Sequence, residues 1–179
     1  MPFIDRCPEC PYGGRAIGTR GDPASRIVLV GEAPGATEIV EGEPFRGPAG
    51  RVLSEALVGA ELVEADLFIT NSVACQPCPV HPWVTAIDAC RERLLRDLEA
   101  RGYGVIVTLG ATALRSVTER RGFRMRDVRG RRVETKWGPV VPTFHPARVM
   151  RVRSERPLLV EDLALAGRIA SSSDGVRMR

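Results

Sequence analysis

Four short aliphatic runs, separated by stretches of helical periodicity, constrain this chain more than anything else in it. They are Arg26-Ile27-Val28-Leu29-Val30-Gly31, Leu67-Phe68-Ile69-Thr70, Gly104-Val105-Ile106-Val107-Thr108-Leu109-Gly110 and Pro139-Val140-Val141-Pro142-Thr143. Unbroken apolar runs of this length read as strands buried on both faces, the signature of a parallel sheet covered by helices. Between them lie Pro48–Leu57, a helix with Pro in its first turn, and Thr85–Arg101, amphipathic through Ile87, Leu94, Leu95 and Leu98 with Gly102 as its stop. Further helices are expected over 111–119 and 156–170. Strand and helix alternate, so the class is α/β with a mainly parallel sheet. Residues 1–25 read as an irregular arm and 32–47 as a Gly/Pro-rich loop. The Arg-rich stretch 120–136 reads as a hairpin and 171–179 as a frayed tail. No repeat or linker divides the chain, so residues 1–179 are expected to form one domain with an N-terminal cysteine-bearing arm.

In an open α/β sheet the carboxyl ends of the strands converge on one crevice, where ligands bind. Three loops with chemical potential sit at such ends. Gly31-Glu32-Ala33-Pro34-Gly35 runs on to Phe45-Arg46-Gly47-Pro48-Ala49-Gly50 and includes Glu38, Glu41 and Glu43. Phe45 stands outside any periodic apolar pattern, which marks it either as an exposed stacking platform for a planar ligand or as a loop anchor packed into the core. Gly47 and Gly50, at a helix start, allow a phosphate to approach the backbone N–H groups. Asn71 follows the second strand, and its amide offers both a donor and an acceptor, as the edge of a base such as uracil requires. His145 follows the fourth strand and is a candidate acid or electrostatic catalyst. Arg148, Arg151 and Arg153 come next and suit a nucleic-acid backbone.

Net charge is +4 and favours an anionic partner. Nearly all of the positive charge is arginine, with Lys136 the only lysine. Such a bias also arises from genomic composition, so charge alone assigns no partner. There is no run of eighteen apolar residues and no signal-peptide core at Met1–Arg6, so a cytoplasmic protein without a membrane span is expected.

Five cysteines, Cys7, Cys10, Cys75, Cys78 and Cys90, include two C-x₂-C pairs. In a chain without a secretion signal they argue for metal rather than disulfides. Thiolates suit both zinc and iron–sulfur clusters. Spacing alone favours zinc held by the two pairs; Cys7, Cys10, Cys75 and Cys90 form an alternative set. Either way, ligation would clamp a core-poor arm to the rest of the chain.

Taken together, the blocks resemble those of the family 4 uracil-DNA glycosylases, the iron–sulfur members of their superfamily. The likeness runs from Cys7 to about Arg153. It rests on Gly31–Gly35 with Gly42–Gly50, Ile69–Cys75, Thr108–Ala113 and Pro142–Arg148, four matches in order. The resemblance implies a three-layer α/β/α sandwich with a central four-stranded parallel sheet. It implies a [4Fe–4S] cluster on Cys7, Cys10, Cys75 and Cys90, in place of the zinc reading. Phe45 would stack on a flipped uracil, Asn71 would bond its edge, His145 would face O2, and Glu38 would assist the water. Glu32, Gly31 and Gly35 belong to the same first motif and join the site, with Gly47, Gly50, Arg148 and Arg151 toward DNA. The implied protein is a prokaryotic DNA repair enzyme, expected to be monomeric, acting on uracil in single- or double-stranded DNA. Two departures stand out. The family often has Asp directly after the position of Glu38, where this chain has Ile39, and Cys78 is an additional cysteine. The rival readings are a glycosylase for another deaminated base and a non-catalytic metal-cluster protein that binds nucleic acid.

Overall fold

The computed structural model describes residues 15–76, 83–99, 102–119 and 121–172, together with the backbone of a two-residue strand β1, Phe3–Ile4. Cys7, Cys10, Cys78, His81 and the tail 173–179 lie outside the described residues.

β1 pairs antiparallel with β2, Ala16–Ile17. The main sheet is built from β3 (Arg20–Gly21), β4 (Ile27–Gly31), β5 (Phe68–Asn71), β6 (Val105–Leu109), β7 (Val133–Thr135) and β8 (Gly138–Thr143). Its order is β3-β5-β4-β6-β8-β7. The inner four strands are parallel, as the aliphatic runs predict, and β3 and β7 add an antiparallel strand at each edge. These edges are two and three residues long, too short to leave a readable alternation in sequence. The hairpin expected in 120–136 is β7 turning into β8, with a short helix α5, Met125–Val128, before it.

Helices cover both faces. On one, α2 (Pro48–Gly59) and α7 (Arg156–Ser171) pack Leu53, Leu57, Leu159 and Leu163 against Ile27, Leu29, Val105, Val107 and Val141. On the other, α3 (Trp83–Glu99) and α4 (Ala111–Thr118) pack Leu94, Leu98, Leu114 and Val117 against Val28, Val30, Ile106 and Val140. Successive residues of β4 and β6 go to opposite faces, as the pleat requires. The result is the expected three-layer α/β/α arrangement, with the chain's second strand outside its first and the third on the first's other flank. Strand order reverses between β4 and β6, and a crevice opens outside the carboxyl ends at such a point.

Two helices depart from the sequence reading. Residues 36–41, expected as loop, form α1, Ala36–Glu41. Gly35 precedes it without a capping side chain; Glu38 reaches back to the Gly35 N–H instead, and Gly42 closes it at φ 78°. The second, α6 (Pro146–Arg151), has His145 as its N-cap and Pro146 in its first turn.

Candidate active site

The crevice at the carboxyl ends holds a pocket of about 750 Å³, inside the range of small-molecule sites. Glu32, Gly35, Glu38, Phe45, Asn71, His145, Arg148 and Arg151 line it, so residues from three loops far apart in sequence meet there.

Gly31 sits directly against two of the lining residues, Asn71 and Phe45. It pairs with Asn71 at the matching ends of β4 and β5. A Cβ on Gly31 would lie 2.3 Å from Asn71 Oδ1 and 2.7 Å from Phe45 Cε2. The bare Cα therefore lets the amide and the ring close in together. Phe45 is 7% exposed, buried as a loop anchor while its ring still lines the pocket, so of the two readings the exposed one fails. Its backbone is left-handed, φ 57°, and its carbonyl rests on Gly50, where a Cβ would come within 1.8 Å of that oxygen. That turn folds the ring inward, which an aromatic isolated in a loop does not reveal by pattern.

Glu38, the implied partner of the water, is buried. Its Oε2 accepts the Gly35 N–H at 3.1 Å and its Oε1 accepts the Gly47 N–H at 2.9 Å. One carboxylate thus ties the start of α1 to the start of α2. The Gly47 N–H, read as free for a phosphate, is spent on this bond, and Gly50 serves the contact with Phe45. Glu32 is half-buried on the same rim.

His145 faces Phe45 with ring centroids 5.9 Å apart and planes inclined by 32°. Its Nδ1 accepts the N–H of Ala147 at 3.1 Å. Burial, reinforced by the nearby positive Arg151 and opposed by Glu38, lowers its pKa from 6.5 to about 4. The ring is therefore neutral at pH 7, with its proton on Nε2. Gly110, at φ 93° on the end of β6, packs beneath it; a Cβ there would lie 3.1 Å from His145 Cβ. Nothing in the Thr108–Ala113 block by itself assigns this glycine a role. Its signal is a glycine closing an aliphatic strand directly before a helix.

The two arginines of α6 differ. Arg148 makes a bidentate pair with Glu155, both bonds 2.7 Å, and stands over the Phe144 ring. Arg151 is exposed and has no carboxylate partner among the described residues.

Cys75 and Cys90 are buried in one small cluster with Ala16, Val73 and Ile87. Ala16 bridges to Cys75 and the Ile17 N–H donates to the Ala74 carbonyl, so the described end of the N-terminal segment lies against this pair. No group of three metal-ligating side chains forms among the described residues, which do not include Cys7 and Cys10. What is described fits a thiolate centre.

A family model described as Uracil DNA glycosylase superfamily matches residues 19–165. The chain is 36% identical over 171 residues to a Type-4 uracil-DNA glycosylase of Thermotoga maritima, covering 91% of this chain and 88% of that one. It is 34% identical over 169 residues to a Type-4 uracil-DNA glycosylase of Pyrobaculum aerophilum, covering 90% and 86%. A Type-4 uracil-DNA glycosylase of Archaeoglobus fulgidus shares 36% identity over 155 residues, covering 79% and 73%.

Proposed function

The chain belongs to the uracil DNA glycosylase superfamily, and on that premise we propose that it is a DNA repair glycosylase that hydrolyses the bond between uracil and deoxyribose. The observation that carries the reading is the neutral His145, held by Ala147 beside Phe45 and Asn71 in one pocket.

The bond breaks toward an oxocarbenium-like sugar with uracil leaving as an anion, so negative charge gathers on uracil O2. A donor fixed in advance where that charge develops is the largest single source of rate. Nε2–H of His145 is that donor. A neutral imidazole donates without first taking a proton from solvent. Phe45 stacks on the base, and Asn71 donates to O4 while accepting from N3–H. Both Glu38 oxygens already accept a backbone N–H and each keeps a lone pair, so the carboxylate holds the attacking water in a fixed place. Flipping the nucleotide costs a few kcal/mol. Arg151, without a carboxylate partner among the described residues, repays part of this on the backbone phosphate, while Arg148 keeps α6 in place through Glu155.

Cys7, Cys10, Cys75 and Cys90 are the proposed ligands of a [4Fe–4S] cluster. Bound there, it would cross-link the arm, the loop after β5 and α3. No helix among the described residues is long and apolar enough to cross a membrane. The proposed enzyme acts as a monomer on single- or double-stranded DNA.

The test is single-turnover release of base from oligonucleotides carrying uracil, hypoxanthine or xanthine, with wild type and His145→Ala. Uracil release that collapses in His145→Ala supports the reading. Release of hypoxanthine or xanthine but not uracil, or equal rates in both proteins, overturns it.

A further inference from the structure

The edge of β5 is covered in two pieces with a gap between them. β3 pairs only with Phe68 and Ile69. Pairing from the arm resumes at Ala74 and Cys75, through Ile17 and Ala16. Between these pieces the Asn71 carbonyl faces outward, because the neighbouring Ser72 N–H points the other way, to Gly31 on β4. A buried carbonyl needs a donor. Arg93 supplies it from α3: its Nη2 donates to Asn71 O at 2.5 Å. Its Nη1 donates to Asp97 Oδ2 at 2.7 Å and approaches Thr70 Oγ1 at 3.5 Å. The side chain is 16% exposed, so these bonds are little screened.

We propose that Arg93 is a positioning residue for Asn71, setting the height and tilt at which the amide meets the base edge. Its bond is charge-assisted and ends on the backbone of the residue that reads the base, so its loss moves the amide without touching the ligand. Asp97, one turn further along α3, orients the guanidinium in turn. Arg93 lies on α3 three residues beyond Cys90, so one helix carries a candidate cluster ligand and the clamp on the reading residue. This inference rests on Asn71 reading uracil.

The experiment is a double-mutant cycle on the iron-loaded protein with Arg93→Ala, Asn71→Ala and the pair, plus Arg93→Lys. It reads single-turnover uracil release, inhibition by free uracil, DNA affinity and the melting midpoint. Misplacement of this kind costs about tenfold to a hundredfold in rate. Arg93→Ala should lose that much and weaken inhibition by free uracil, with DNA affinity within about twofold. Arg93→Lys should recover part of the loss, since an ammonium reaches the carbonyl but not Asp97 at the same time. Adding Arg93→Ala to Asn71→Ala should cost less than about twofold more. The proposal is overturned if Arg93→Ala releases uracil at the wild-type rate, or if its effect is undiminished without the Asn71 amide. Should Arg93→Ala fail to fold, Arg93→Lys decides: wild-type rate and inhibition reject the proposal. A wild-type rate in Asn71→Ala alone marks failure of the base-reading assignment instead.

Discussion

Nδ1 of His145 accepts the N–H of Ala147 at 3.1 Å, and this bond decides which proton the imidazole offers to the pocket. A protonated Nδ1 could not accept, so the tautomer with hydrogen on Nε2 is selected.

Uracil release should accordingly ignore the pH range in which a free imidazole titrates. The single-turnover rate is expected to stay level from pH 8 to about pH 5 and change only toward the folded value of about 4. His145→Ala should lose about 10²–10³ in rate with little change in DNA affinity. Stability carries the same signature. Below about pH 6.5 the unfolded chain takes up this proton and the folded one does not, so His145 erodes stability as pH falls from there to about 4. A rate that follows a pKa near 6.5 would reject the neutral imidazole.

Phe45→Ala should slow release about tenfold to a hundredfold, from the roughly 1–3 kcal/mol of a base–aromatic stack. Asn71→Asp should weaken discrimination, because a carboxylate cannot donate to O4. Gly31→Ala inserts a methyl between both groups and should cost about 1–3 kcal/mol of stability as well as activity. Rates and chemical denaturation measured on the same three proteins check this.

Glu38→Gln keeps shape but replaces one acceptor with a donor, leaving the Gly35 or the Gly47 N–H without a partner. An orphaned buried N–H costs about 1–3 kcal/mol. Urea denaturation should show that loss together with slower uracil release. If only the rate falls, the carboxylate does not hold the two helix starts together as described.

Arg148 and Arg151 should separate cleanly. Arg151→Ala is expected to flatten the dependence of DNA affinity on salt by about one unit of slope. Arg148→Ala should leave that slope alone and lower the melting midpoint, by leaving the buried Glu155 with only the more distant Arg126, 3.7 Å away. The hydrogen bond from Arg148 holds the Glu155 carboxyl below its ordinary value of 4.5, so this stability is present above pH 4.5 and fades as pH drops through the lower folded value. Salt titrations of binding and acid unfolding curves distinguish the two residues.

Protein purified without air should be brown and carry about four irons per chain, the content of one [4Fe–4S] cluster on four thiolates. Cys90→Ser should bleach it and Cys78→Ser should not. Stoichiometric zinc without iron would restore the reading from cysteine spacing alone.

The parallel core was legible because β-branched runs buried on both faces cannot hide among loops. Asn71 and His145 were legible from their place at strand ends. The first helix was not, because Gly35 caps it with no side chain and the compensating bond comes from Glu38, inside a stretch of glycine and proline. Arg148 and Arg151, three apart, share one face of α6, and nothing local says that Glu155 claims only the first. Arg93 finds Asn71 across 22 positions and two elements, a pairing visible only once α3 is packed on the sheet.

The carbonyl of Phe45 sits where a Cβ on Gly50 would have to go, and the loop before it is stapled at Gly35 and Gly47 by a single carboxylate. Under the proposed function, a rim tied in this way offers no lever to unstack a base, so beyond the phosphate contact at Arg151 the cost of flipping rests with the nucleic acid. Substrates should therefore rank by how readily their uracil leaves the helix, with single strands ahead of U·G mispairs and U·A pairs last.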